Sequence, residues 1–251
     1  MATGKHGWGV MLALLLAGDM QPATAGELQA VELELVLAVD VSSSVDPVEY
    51  ALQMRGYSQA FRHRDVIAAI SAVGDRGIAV TLVQWSDRGS RATSVDWVLL
   101  RNRHGAEQFA TTIDVAPRLL KGFTSIGGAI NFSVAEIEQN RFEGRRKVID
   151  ISGDGSSTDR SPAAERDRAV ARGVTINGAV ILDEDYSGVA SVDLPAYYDR
   201  HVVGGTGAFL VTADNFRDFA TVIRRKLLRE ITGPGVAVLE VDGVYPPGGR
   251  F

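Results

Sequence analysis

The chain has 251 residues, 26 of them basic and 31 acidic, for a formal net charge of −5. Its hydrophobic fraction of 45% and charged fraction of 23% are ordinary for a soluble globular protein, and the length suits one large domain or two small ones. It has no cysteine, which excludes disulfides and thiolate metal sites, and no basic stretch marks a nucleic-acid surface.

The N-terminus reads as a secretory signal peptide over residues 1–25. Lys5 gives a weakly positive start, Trp8 to Ala17 is an apolar run, and Ala23-Thr24-Ala25 offers small residues for cleavage after Ala25. The run is shorter than the ~20 residues that span a bilayer, so no stable membrane span is expected after cleavage. No cysteine follows it for lipid attachment. Removing residues 1–25 takes away Lys5 and Asp19 and leaves the net charge unchanged. The expected location is periplasmic or secreted.

The rest alternates strand-like and helix-like segments. Leu33–Val39 is apolar and reads as a buried parallel strand. Pro47–Val73 has helical spacing, with Met54, Tyr57, Phe61, Ile67, Ile70 and Val73 as core positions and a break near Arg62–Asp65. Ile78–Trp85 is a second strand and Ser94–Leu100 a shorter one at a sheet edge. Ala106–Val115 and Ile126–Gln139 read as helices, and Lys147–Ser152 as a third buried strand. Ala163–Arg172 is helical, Val174–Leu182 a strand and Leu194–His201 a short helix. Ala208–Thr212 is the last strand, and Asn215–Glu230 a final helix capped by Asp214. This alternation predicts an α/β domain from residue 31 to 231, doubly wound, with a mainly parallel sheet and helices on both faces. The Gly- and Pro-rich tail, 233–251, is either flexible or adds an edge strand at Val236–Val241.

Two strand ends are chemically loaded. The first strand runs into Asp40-Val41-Ser42-Ser43-Ser44, and Lys147–Ser152 runs into Gly153-Asp154-Gly155. Between them lies Gly122-Phe123-Thr124-Ser125-Ile126-Gly127-Gly128, a Gly-flanked loop opening a helix. In open parallel sheets ligands bind beyond the carboxyl ends of strands, where the strand order reverses. An extended exit from the first strand would point Asp40, Ser42 and Ser44 the same way. Asp40 and Asp154 supply two negative charges; Ser42, Ser44 and Thr124 supply neutral oxygens. That set suits a hard divalent cation. With few protein carboxylates, Mg²⁺ is favoured over Ca²⁺, with Mn²⁺ a further alternative. Neutral hydroxyls leave the ion electrophilic, so an Asp or Glu carboxylate from a partner protein would complete its shell.

These motifs resemble the von Willebrand factor A domain and its metal-ion-dependent adhesion site. The resemblance rests on Asp-x-Ser-x-Ser after an apolar strand, Thr124 in Gly-x-Thr-x-x-Gly, and Asp154 in Gly-Asp-Gly. It covers Leu33 to Arg229, and is narrower for a group of bacterial exported A-domain proteins of unknown function. It implies a six-stranded sheet with one antiparallel edge strand, and ligand binding rather than catalysis. Gly153 stands where many members have Thr, which leaves the support of Asp154 at that position open.

Other readings of the same residues are weaker. Asp40–Ser44 as a helix cap competes with Asp46, which precedes Pro47 and fits that role. Asp40 as a phosphoaspartyl nucleophile lacks a second acid two residues on, where Ser42 stands. Ser43 has no Gly-x-Ser-x-Gly elbow. His63, His104 and His201 have no metal-ligand spacing. Gly204-Gly205-Thr206-Gly207 precedes a strand and reads as a turn. Asp183-Glu184-Asp185 reads as an acidic surface loop, and Trp85 and Trp97 as packing residues. The expected function is an exported, metal-dependent protein-binding module. Alternatives are a structural A domain with a loop-tethering ion, or a metal-dependent envelope hydrolase.

Overall fold

A computed structural model of the chain describes Met1, residues 27–182 and residues 192–233. The described residues form six strands and seven helices: β1 (Gln29–Asp40), α1 (Pro47–Arg62), α2 (Arg64–Ala72), β2 (Ile78–Trp85), β3 (Arg91–Leu100), α3 (Arg103–Val115), α4 (Ile126–Gln139), β4 (Phe142–Gly153), α5 (Ala163–Ala171), β5 (Val174–Ile181), α6 (Leu194–His201), β6 (Leu210–Ala213) and α7 (Phe219–Thr232). They make one sheet in the order β3-β2-β1-β4-β5-β6. Every neighbouring pair is parallel except β2 with β3, which is antiparallel.

β1 is central because both of its faces are apolar. Leu33, Leu35, Leu37 and Val39 point into a core shared with α1, α2, α3 and α7. Val36 and Ala38 point to the opposite side, where α4, α5 and α6 pack through Ile126, Ile130, Val134, Ala169 and Tyr198. Alternation of side chains along a strand thus feeds two helical layers from one run of sequence. Tyr57 meets Phe219 edge-on at 5.3 Å and Phe61 meets Phe109 at 4.9 Å, tying α1 to α7 and α3. The strand order reverses at β1: the chain adds β2 and β3 on one side, then crosses to place β4 on the other. The pairing of Val39 with Ser152 brings the exits of β1 and β4 side by side at the reversal.

The helix break falls at His63, whose side chain accepts the amide N–H of Asp65 and caps α2. β1 and β4 extend further toward their N-termini than hydropathy predicts. Gln29–Val31 pairs with Phe142–Gly144, where residues of mixed polarity alternate between exposed and buried. β3 likewise starts at Arg91 rather than Ser94. The final helix corrects the sequence expectation: it begins at Phe219, and Asp214 does not cap it. Asn215 closes a turn instead, accepting the N–H groups of Arg217 and Asp218 at 2.8 and 3.1 Å. Asn side chains compete with helical backbone bonding in this way. The expectations for residues 2–25, for Asp183–Asp185 and for Val236–Val241 lie outside the described residues. No described helix is long and apolar enough to cross a membrane.

Candidate metal centre

Asp40 ends β1 fully buried, and its Oδ1 accepts the Ser42 N–H at 2.7 Å. The chain then turns rather than staying extended, with Val45 N–H returning to the Ser42 carbonyl at 3.1 Å. This corrects the expected extended exit: the turn, not strand alternation, puts Ser42 Oγ and Ser44 Oγ 3.0 Å apart. Ser44 Oγ donates to Asp154 Oδ1 at 2.8 Å, joining the exits of β1 and β4 directly. None of these residues caps α1. Asp46 accepts the Val48 and Glu49 N–H groups while Glu49 Oε2 accepts the Asp46 N–H, a reciprocal capping box.

The third loop is held by backbone bonds. Gly122 carbonyl accepts the Ser43 N–H at 2.7 Å, and Ser125 N–H reaches the Ser86 carbonyl at 2.8 Å. A Cβ on Gly122 would lie 2.5 Å from Asp87 Oδ2, so a side chain there would push the Asp87 carboxylate aside. Thr124, 7% exposed, exchanges bonds with Thr158, whose N–H and hydroxyl both reach the Thr124 carbonyl. Its Oγ1 lies 3.8 Å from the point a Cβ on Gly155 would occupy. Asp40, Ser42, Ser44, Thr124 and Asp154, separated by up to 114 residues, therefore share one end of the sheet.

The electrostatics at this point favour a cation. Burial and then the neighbouring Asp154 charge push the Asp40 carboxyl well above the usual carboxylate range; the Ser42 bonds and Arg118 act the other way. Asp40 Oδ2 is buried without a hydrogen-bond partner. A desolvated, partnerless carboxylate oxygen beside a second acid fits a divalent ion. Among the described residues no three His, Asp or Glu side chains gather as metal ligands. The oxygens here come instead from two carboxylates, with the Ser42 and Ser44 hydroxyls between them and Thr124 nearby.

Several supporting residues carry no sequence signal. Arg118, in the coil before Gly122, donates through one Nη to the Val41 and Ser42 carbonyls, both at 2.8 Å. Gln53 Nε2 donates to the Asp40 carbonyl at 3.2 Å. Ser157 Oγ accepts the first N–H of α4, and Asp159 accepts from the Ser125 and Ser157 hydroxyls. Tyr198 is fully buried on α6, and its hydroxyl donates to the Gly155 carbonyl at 3.3 Å. The point a Cβ on Gly153 would occupy is 2.7 Å from that phenolic oxygen and 2.9 Å from Asp40 Oδ2. The histidines stay apart from the centre. His201 ends α6, its ring tilted against Tyr197 at 5.0 Å and its Nδ1 3.3 Å from Ser161 Oγ. Trp85 is fully buried in the core, and Trp97, partly buried, packs on Phe142.

This topology defines the von Willebrand factor A fold, and solved A-domain structures superimpose on it. Proximal thread matrix protein 1 from the mussel byssus matches with a TM-score of 0.58 and 18% identity, over 82% of this chain and 49% of that one. The von Willebrand factor type A protein from Catenulispora acidiphila gives 0.55 and 14%, over 80% and 43%. The vWF domain of the type V pili tip protein Mfa5 from Porphyromonas gingivalis gives 0.54 and 10%, over 82% and 98%. The chain spans about half the length of the mussel protein. Residues 30–235 match the family described as Protein of unknown function (DUF1194), and the chain belongs to that family. No curated protein sequence matches it.

Proposed function

We propose that this chain is an exported binding module that grips an acidic side chain of a partner protein through a divalent cation, Mg²⁺ by preference. Asp40, Ser42, Ser44, Thr124 and Asp154 are the proposed ligands, within a domain of residues 31–231 that follows a cleaved signal peptide. The observation that carries the reading is the buried, partnerless Asp40 Oδ2 beside Asp154 and three converging hydroxyls. Two protein charges neutralise a divalent ion and leave it able to attract a third carboxylate. A further structure of the mussel protein has a zinc-occupied MIDAS motif, which supports a cation at the corresponding end of this sheet. The ion would supply an electrostatic grip, and the chain's own residues would hold and orient it.

The surroundings suit docking. A cavity of about 520 Å³ adjoins the Ser42–Ser44 turn, lined by Ser43, Val45, Pro47, Arg118, Leu119 and Lys121. Phe123, 75% exposed, and Leu119, 48% exposed, stand on the same loop as Thr124. An acid on the ion with apolar neighbours over this rim would combine charge and apolar burial. Proximity cross-linking of the tagged protein in its native host is the direct test. A partner captured by wild type and lost both with EDTA and in Asp40→Ala is expected. Capture that survives both treatments would refute the reading.

A further inference from the structure

We infer that Tyr198 is a positioning residue for the Asp40–Asp154 pair, and that Gly153 is glycine because its missing side chain is the space the phenol fills. The inference rests on the proposed cation site and concerns how this chain orients it.

Three observations converge. First, Gly153 lies between the last β4 residue to pair with β1, Ser152, and the acid Asp154. The position its Cβ would take is claimed from two sides, 2.7 Å from Tyr198 OH and 2.9 Å from Asp40 Oδ2. Real Cβ atoms do not approach other atoms that closely, so a side chain here would displace the phenol or the carboxylate. Second, the Tyr198 hydroxyl is buried and donates to the Gly155 carbonyl at 3.3 Å, so it holds the backbone of the turn whose Asp154 side chain is held by Ser44. Third, Asp40 Oδ2, near the same point, is buried with no hydrogen-bond partner. One phenolic oxygen arriving from α6 thus bonds the turn of one acid and borders, with the partnerless oxygen of the other, the space a Gly153 side chain would fill. Tyr197 holds the next stretch: its hydroxyl accepts the Ser157 N–H at 3.3 Å. Two adjacent residues of one helix thus brace the chain after Asp154.

The groups that orient metal ligands commonly change affinity about 10- to 100-fold when removed. Isothermal titration of the purified mature chain with MgCl₂ is the measurement, alongside melting in EDTA. Tyr198→Phe removes one oxygen and keeps the ring, so the EDTA melting point should hold near wild type while Mg²⁺ affinity falls about tenfold or more. Gly153→Ser alone should also weaken binding, because its Cβ collides with the phenol. Gly153→Ser combined with Tyr198→Phe returns a hydroxyl to the same space from the opposite side and should recover affinity relative to either single variant. Full wild-type affinity in Tyr198→Phe would overturn the inference while leaving the cation site standing. Loss in Tyr198→Phe with no recovery in the double variant would make the hydroxyl a packing group and overturn it as well. A wild-type chain that gives no Mg²⁺ response would remove the cation site itself, and the inference with it.

Discussion

Ser44 and Asp154 are 110 residues apart in sequence, yet the serine hydroxyl donates to the aspartate across 2.8 Å. This bond closes the crevice between β1 and β4, and it is possible only because the two strands pair in parallel with their exits level. Ser44 is exposed, so the bond alone contributes modestly to folding, about 1 kcal/mol. Its larger consequence is geometric, since it sets the spacing of oxygens from two loops.

If those oxygens hold a cation, Mg²⁺ should stabilise the fold by mass action. At a free concentration 100-fold above Kd the gain is about 2.7 kcal/mol, or roughly 5–10 °C in Tm for a domain of this size. Differential scanning fluorimetry with and without MgCl₂ reads this directly. Asp40→Asn and Asp154→Ala should each abolish most of the rise. A rise that persists in both variants would place the ion elsewhere.

Arg118 should matter to the site without touching the proposed ion. Its guanidinium spans the Val41 and Ser42 carbonyls while Nε reaches Leu120. Arg118→Ala leaves those acceptors without their donor, at a cost of about 1–3 kcal/mol. Arg118→Lys should repair little of this, because one ammonium cannot reproduce the fork. Urea denaturation of the three proteins gives the ranking. Equal stability of Arg118→Ala and wild type would mean water replaces the side chain without loss.

A second buried charge cluster lies within the α7 layer. Lys226, fully buried, sits 2.6 Å from Asp150 Oδ1 and 2.5 Å from Glu230 Oε1. One cation faces two acids, so Lys226→Met would leave both uncompensated. The expected loss is about 3–5 kcal/mol, since an unpaired buried charge costs far more than the pair contributes. Thermal or urea melting checks it, and a loss under 1 kcal/mol would show that removing Lys226 leaves no uncompensated buried charge.

The same cluster makes stability depend on pH. Burial raises the Asp150 carboxyl to about 7, with Lys226 opposing and Glu230 adding to the shift. An unfolded aspartate titrates near ~4. Between these values the folded chain holds a proton that the unfolded chain has released, so this group's contribution is full below about pH 4 and is lost as pH rises through about 7. Asp150→Asn should flatten that part of the profile in urea titrations from pH 4.5 to 8. Parallel profiles for the two proteins would show that Asp150 does not carry that proton.

Much of this was legible from composition and pattern. Apolar runs such as Leu33–Val39 and Val174–Leu182 can be buried on both faces only in a parallel sheet, so the fold class follows from periodicity. Asp40, Ser42, Ser44, Thr124 and Asp154 stood out because oxygen-bearing residues cluster at strand exits, where a capping role was already taken by Asp46. The ends of β4 and the start of α7 did not show. Edge pairing at Gln29–Val31 and the Asn215 turn depend on partners, not on local hydropathy.

The sequence by itself determined which segments are strands, which face of each is apolar, and which residue types gather at two strand exits. Only the tertiary structure decided that these exits adjoin, that Arg118 and Tyr198 support them, and that Gly153 leaves room for a phenol from α6. The reason is physical. Burial follows from local composition, whereas the distance between two hydroxyls and a carboxylate is set by the register of strands that are far apart in the chain.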